Sequence, residues 1–468
     1  MNKNPFFSPF YIHRDSIIVD ACQSKEYRYE DFYTLVTSIA LDIEKLDITK
    51  HTIIVIYGYK NSFKQLLLFF ACLKCNLIPF IVEAGCLDQI FDLRFNGMFS
   101  DVPVTRVLIE KANRKDICES FIFYYNIHPQ IYIGKENDLL IVSSSGTTSK
   151  IPKKILLGRE QTIANIKSNQ EALSVTKNDS TLILLPISYS YGLIAQFLTH
   201  FFSGAKIILG ERILGVLQLP KLFKKHEITN VFMTPLLARL ILYYYQGTLK
   251  VENNLSFITL GGDMPHLQTF KSLLALFNCP IYSTYGLAEA GPRVATKKYI
   301  AAPPDDEELC IGNVNPGISI KIAPDEKYQG TYNSFETGYL QIDSPSIYLG
   351  YIIGDKLYGP QSETILITKD ICIKKNNRFF LLGREGDFIE YKDSMIWFNN
   401  LTKELYHNPG ILKVQIRKTI NNKLEIRIFH RNKLSISEIQ SVLKDKYDLS
   451  DGHNYNMQLV EFNNTHYK

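Results

Sequence analysis

The stretch "LLIVSSSGTTSKIPKK", Leu139 to Lys154, governs how the rest of the chain is read. Leu139, Leu140, Ile141 and Val142 form an apolar run of strand length, and a turn of hydroxyls follows around Gly146, with Lys150, Lys153 and Lys154 flanking Pro152. A strand that feeds a Gly/Ser/Thr-rich turn suits an anion, because backbone N–H groups and hydroxyls can converge on phosphate oxygens while a lysine supplies charge. The commonest phosphate loop, GxxxxGK[ST], is excluded: the fifth residue after Gly146 is Ile151 rather than glycine, and Lys153 follows a proline.

Outward from that loop, β-branched runs alternate with amphipathic helical segments across the first two-thirds of the chain. Phe32, Leu35, Val36, Ile39, Ile43 and Leu46 keep a three-and-four spacing, which predicts a helix with one buried face. Helices are also predicted over 62–74, over 192–202, and around Ile163, Ile166 and Leu173; strands are predicted at "TIIVIYG", "LIPFIV", "TLILLP", "AKIIL", "TNVFMT", "SFITLGG" and "PIYSTYG". Such alternation implies a layered α/β architecture with mainly parallel strands, whose ligands sit at the strands' carboxyl ends. Beyond residue 300 short strand-like runs broken by Gly, Pro and Asn suggest a β-rich subdomain over 305–382, and the polar turn "GREGD" marks a boundary. The expected organisation is a large N-terminal domain, 1–383, followed by a small, shortened α+β C-terminal domain, 384–468.

With 468 residues, 46% of them hydrophobic, the chain can bury a large core and exceeds the usual size of one domain. Its 52 basic and 47 acidic side chains nearly balance, so no electrostatic footprint points to nucleic acid or to an anionic membrane surface. The eight cysteines are scattered without a disulfide framework, and Cys72 and Cys75 fall in an apolar helical segment as core residues. The first sixteen residues hold no apolar core of signal-peptide length, and the run "LLLFFACL" is far short of a bilayer span. A cytoplasmic setting is therefore expected.

The order Ser-Gly-Thr-Thr and then Pro-Lys resembles the phosphate-binding signature of the adenylate-forming (AMP-binding) ligase superfamily, which includes acyl-CoA synthetases, aryl acid ligases and peptide-synthetase adenylation domains. Further segments resemble that family in the same order: "LPISYSYGL", "SFITLGGDMP", "STYGLAEAGPR", "GNVNPGISIKI", "GYLQIDSPSIYLGY", "ITKD" and "FLLGREGDFIE". The resemblance implies ATP and Mg2+ as cofactors, a small-molecule carboxylic acid as substrate, and coenzyme A or the phosphopantetheine of an acyl carrier protein as acceptor. It implies that Ser145, Gly146, Thr147, Thr148 and Lys153 hold phosphates, and that Gly262, Asp263, Tyr285, Gly286, Asp370 and Arg384 bind the nucleotide. It further implies that Glu289 holds the metal, that Tyr189, Tyr191 and Gly192 line the acyl pocket, and that Lys468 is the remnant of the bridging catalytic lysine. Where amino-acid-activating relatives place an aspartate for the amine, this chain has Tyr191, Gly192 and Leu193, which favours an acid without an α-amino group.

Several positions depart from the family pattern. Ser149 stands where glycine is usual, with one extra residue before Pro152, and Lys154, Ala288 and Lys369 replace a glycine, a hydroxyl residue and a glycine. Glu390 and Asp393 replace a lysine and a glycine, the glycine belonging to the thioester-forming conformation. Lys468 lacks the expected glycine and is as readily a solvated terminal lysine. The alternatives are therefore a catalytically impaired protein of the same fold that binds nucleotide or acyl ligand and, from another class, a kinase, which Ile151 disfavours.

Overall fold

The computed structural model describes residues 4–58, 62–86, 89–90, 93–100, 114–117, 121–125, 130–144, 152–246, 252–301, 304, 309–328, 335–360, 364–392, 394–419, 421–431, 434–452 and 454–462. Ser145, Gly146, Thr147, Thr148, Ser149, Asp393 and Lys468 lie outside the described residues.

Among the described residues two nine-stranded sheets form the bulk of the chain. In the first, strands Ile17–Asp20, Lys206–Leu209, Ser180–Ile183, Asn230–Met233, Phe257–Leu260 and Ile281–Tyr285 run parallel, as the helix crossovers between most of them require. The apolar runs that predicted these strands are buried on both faces, so they lack polar alternation. Antiparallel Ala295–Tyr299 follows on one side, with Asn313–Val314 beyond it at the edge, and Lys25–Arg28 closes the other edge. The second sheet is mixed: Ile53–Tyr57, Ile78–Val82 and Gly97–Ser100 are parallel, whereas Lys154–Gly158 returns antiparallel to Asp138–Ser143. The two strands flanking the Ser/Thr-rich segment thus form an antiparallel pair, and the helix Arg159–Leu173 starts only after the second strand.

Between the sheets lies a core of aliphatic and aromatic side chains fed by helices Tyr29–Glu44, Ser62–Lys74 and Arg159–Leu173. Phe32, Val36, Ile39 and Ile43 bury as their spacing predicts, but Leu35 stays 38% exposed because the helix turns that flank outward. The predicted helix over 192–202 begins as a π-helix, Tyr191–Leu198, and becomes α-helical at Thr199–Ser203.

Strands Ser319–Pro324, Glu336–Asp343, Ile365–Lys375 and Arg378–Arg384 form a four-stranded antiparallel sheet. Gly350–Ile353 does not join it and pairs with Lys154–Gly158, carrying a strand from the β-rich segment to the foot of the Ser/Thr loop. Past residue 387 comes a hairpin, Phe388–Tyr391 with Ser394–Trp397, and then three strands with helices Phe398–Leu405 and Ile436–Tyr447 over their own core. Trp397 is fully buried against Tyr328 and Phe388, and a Cβ on Gly383 would lie 2.6 Å from its ring. This terminal unit docks through Leu412, Phe429 and Phe462 on Leu240, while Arg239 stacks 3.8 Å over the Tyr406 ring and donates to the Leu412 carbonyl.

Candidate functional site

The parallel strands Phe257–Leu260 and Ile281–Tyr285 lie side by side, so Gly261, Gly262, Tyr285 and Gly286 share one carboxyl edge of the first sheet. Gly262 takes a φ of +85°, a conformation glycine adopts without Cβ strain, and turns the chain outward so that it and Asp263 are exposed. Gly286 is required by close approach: a Cβ there would stand 2.1 Å from the Pro292 carbonyl oxygen and 2.9 Å from the Arg293 Cα. Gly286→Ala is therefore expected to lower stability by about 1–3 kcal/mol, since backbone rather than a flexible side chain must give way. Urea unfolding measures it, and an unchanged midpoint would show that the 286–293 turn yields freely.

From that edge Tyr285 reaches the four-stranded sheet. Its hydroxyl donates to Asp370 Oδ2 at 2.5 Å, and Arg384 Nε donates to Asp370 Oδ1 at 3.0 Å. Asp370 and Arg384 are cross-strand partners in the hairpin Ile365–Lys375 with Arg378–Arg384, and this pairing fixes their contact. Asp370 also receives local support, its backbone N–H donating to Thr368 Oγ1 at 3.1 Å. Burial, reinforced by the Asp370 carboxylate, pushes the Tyr285 phenol well above its ordinary value, so it remains a donor. For Arg384 burial opposes the charge, but Asp370, its hydrogen bond and the nearby Glu289 carboxylate overcome it and raise the guanidinium. Half-buried Asp387, at the start of the terminal unit, is pushed by burial up to about 6, with Arg384 pulling the other way.

Glu289 stands in the short turn Ala288–Ala290 and accepts from the Tyr351 hydroxyl at 3.0 Å on Oε1. Its backbone carbonyl accepts from the Tyr348 N–H at 2.9 Å, and the rings of Tyr348 and Tyr351 are 4.8 Å apart. Lys153 completes the row, its Nζ 3.3 Å from the Tyr351 hydroxyl and 4.4 Å from that ring's centre. Burial first, and then the Glu289 carboxylate, push the Tyr351 phenol up. One cluster thus runs Lys153, Tyr351, Glu289, Arg384, Asp370, Tyr285, from the foot of the Ser/Thr loop to the sheet edge. Among the described residues no group of three or more His, Cys, Asp or Glu side chains gathers to cage a metal. A lone carboxylate such as Glu289 suits Mg2+, which is commonly held by one or two carboxylates plus substrate phosphates.

Tyr191 is buried, with its hydroxyl 2.7 Å from Thr259 Oγ1, and a Cβ on Gly261 would stand 2.9 Å from its Cζ. A Cβ on Gly192 would lie 2.3 Å from the Pro186 carbonyl oxygen, so the turn before the π-helix closes tightly on it. Tyr189 lies apart in that turn, half-buried, its N–H 3.4 Å from the Pro186 carbonyl. Asp263 faces the terminal unit, where its carboxylate acts on Lys413 and Tyr406. Lys369 points away from the cluster and pairs with Glu385 at 3.0 Å on the outer face of the hairpin. Sequence reasoning missed Tyr351; the signal was its place at the end of "GYLQIDSPSIYLGY", where a tyrosine enters the strand that joins Lys154–Gly158.

Comparison with known proteins gives these positions a setting. A family model described as AMP-binding enzyme matches residues 97–352. The chain is 30% identical over 261 residues to a 3,4-dihydroxybenzoate–[aryl-carrier protein] ligase of Bacillus anthracis, covering 55% of this chain and 53% of that one. It is 26% identical over 300 residues to an acyl-CoA ligase of Alternaria alternata, covering 60% and 50%. The chain spans about half the length of the curated relatives it matches. The solved structure of ATP-bound MatB from Rhodopseudomonas palustris shares the fold with a TM-score of 0.74 at 14% identity, covering 99% of this chain and 95% of that one.

Proposed function

Because the chain belongs to the AMP-binding enzyme family, we propose that it is an ATP-dependent carboxylic acid ligase. In this reading it makes an acyl or aryl adenylate and passes the acyl group to coenzyme A or to a phosphopantetheine carrier protein. The observation that carries the reading is the meeting of Tyr285, Asp370 and Arg384, drawn from two sheets, with Glu289 from the turn that follows, at the carboxyl edge of parallel strands. Relatives that are named for acyl-CoA and for aryl-carrier ligation support both kinds of acceptor.

An oxygen of the substrate carboxylate bonds to the α-phosphorus of ATP, the bond from that phosphorus to the bridging oxygen breaks, and pyrophosphate leaves with the electron pair. The acceptor sulfur then attacks the acyl carbon, its proton is released, and AMP departs with the electrons of the C–O bond. Asp370 receives the ribose hydroxyls on the lone pairs that Tyr285 and Arg384 leave open, since a carboxylate offers about four acceptor sites. The Tyr285 ring packs on adenine beside Gly262, Asp263 and Gly286. Lys153, with Ser145, Gly146, Thr147 and Thr148, holds the outgoing phosphates, and Lys468 is assigned to bridge the carboxylate and phosphate oxygens. Glu289 would hold Mg2+, which when bound offsets charge on the phosphate oxygens. Tyr191 and Gly192 wall the acyl pocket, with Tyr189 at its rim.

The test is carboxylate-dependent exchange of labelled pyrophosphate into ATP across a panel of fatty and aryl acids. Exchange with at least one acid is expected. Normal ATP binding with no exchange for any acid would overturn the enzyme and leave a ligand-binding protein of the same fold.

A further inference from the structure

Arg293 is the most deeply buried cation among the described residues, with no exposed surface. It lies four residues beyond Glu289, where the chain returns to the sheet and the Val294 N–H donates to the Tyr285 carbonyl at 2.9 Å. Its Nη2 donates to Thr296 Oγ1 at 3.0 Å, while Nε and Nη1 have no hydrogen-bond partner among the described residues. Among the described residues no hydrogen bond or ion pair joins it to a carboxylate, and the groups that support its charge electrostatically are the phenols of Tyr191 and Tyr282. A guanidinium buried without a counter-charge and with two open donors is costly, and the usual compensation is an anion in a planar, two-point contact.

The surroundings put that contact beside Tyr191, which the ligase reading assigns to the acyl pocket. The Arg293 guanidinium lies 5.7 Å from the Phe232 ring centre, and the Tyr191 and His200 rings lie 5.8 and 5.6 Å from the same ring. Tyr191 also closes on Gly261 at the carboxyl edge of the first sheet, so it links the guanidinium to that edge. Burial lowers His200 to about 4, leaving it neutral, and lowers Arg293 only to about 10, leaving it charged. Of the two, Arg293 is therefore the one that is a cation at neutral pH. Tyr191 opens the π-helical segment Tyr191–Leu198, and π-helical turns, rare in general, are frequent at functional sites.

We propose that Arg293 sets the substrate class: the acid that is activated carries a second carboxylate, which the guanidinium receives through Nε and Nη1. The inference rests on the ligase reading above. Tyr191 moves aside to admit the remote carboxylate, and the first carboxylate is left at the sheet edge beside Glu289 for adenylation. An acid without the second group leaves both donors unpaired, and a site built on such donors discriminates strongly against it.

The experiment compares matched acids on the full chain: glutarate against valerate, and isophthalate against benzoate. Pyrophosphate exchange gives kcat/KM for each, and thermal unfolding with AMP present gives binding independently of turnover. Each dicarboxylate is expected to exceed its partner by about 10²-fold or more in kcat/KM, a preference that Arg293→Met abolishes and Arg293→Lys keeps in part. Equal or better turnover of the monocarboxylates by the native chain overturns the proposal, as does an unchanged ratio in Arg293→Met. If that variant fails to fold, the native ratio and Arg293→Lys decide. If no acid supports exchange, the ligase reading fails on its own. In that case stabilisation of the native chain, but not of Arg293→Met, by glutarate or isophthalate upholds the arginine site, and its absence overturns that too.

Discussion

Glu289→Gln is expected to cut pyrophosphate exchange about 10²–10³-fold, the usual loss when one preorganised electrostatic contact to the reacting phosphates is removed, with the melting temperature close to that of the native chain. The substitution keeps the shape of the side chain, and its amide oxygen can still accept from the Tyr351 hydroxyl as Oε1 does at 3.0 Å. The backbone carbonyl that holds the Tyr348 N–H is unaffected. What disappears is the negative charge, together with one of the carboxylates that support Arg384. A purely structural glutamate would tolerate the change, because the hydrogen bond survives, so retained exchange would withdraw the metal assignment. Tyr351→Phe is the companion measurement. It removes the hydroxyl shared by Glu289 and Lys153 but leaves both charges, and a smaller loss than that of Glu289→Gln is expected.

Motif residues and site geometry were not equally visible in the sequence. Parallel strands such as Asn230–Met233 and Phe257–Leu260 were legible because two-sided burial demands continuous apolar runs. Tyr285, Glu289, Asp370 and Arg384 were legible only as members of ordered segments; nothing in their spacing says that residues 285 and 370 touch. That contact depends on how the four-stranded sheet meets the first sheet and on a register shift between Ile371 and Cys372, both set by tertiary packing. Tyr351 stayed hidden for the same reason, since its strand leaves the β-rich segment to pair with Lys154–Gly158. The π-helix at Tyr191–Leu198 could not be read because all eight of its residues are buried and the run carries no polar period to distinguish helix types. Arg293 ends the segment "STYGLAEAGPR", yet a cation four residues after the glutamate is ordinarily solvated. Only its complete burial without a carboxylate marks it out.

Asp370→Asn is expected to weaken ATP binding on the order of 10²-fold, from two charge-assisted hydrogen bonds at about 1.5–3 kcal/mol each, partly retained by the amide oxygen. Folding stability should fall as well, by about 1–3 kcal/mol, because Asp370 is only 7% exposed and its carboxylate is what Arg384 Nε and the Tyr285 hydroxyl both donate to. An asparagine offers one oxygen to two donors and turns its NH2 toward the other, so one of the pair loses its acceptor. Arg384 is 38% exposed and can turn to water, which keeps the stability loss below that of a fully buried ion pair. Tyr285 is half-buried, and burial with the Asp370 carboxylate already opposes its ionisation, so its hydroxyl depends on an acceptor at position 370. Tyr285→Phe therefore separates the two effects: it removes one donor from Asp370 while leaving the carboxylate in place for a ribose, Oδ2 open and Oδ1 still accepting from Arg384. Calorimetric titration with ATP and thermal unfolding of both variants make the comparison. If Asp370→Asn lowers the melting temperature to the same extent as Tyr285→Phe and leaves the Kd for ATP unchanged, Asp370 is a strut of the hairpin and not a ribose ligand. Weak ATP binding by Asp370→Asn alone, with Tyr285→Phe close to native affinity, assigns the carboxylate to the nucleotide.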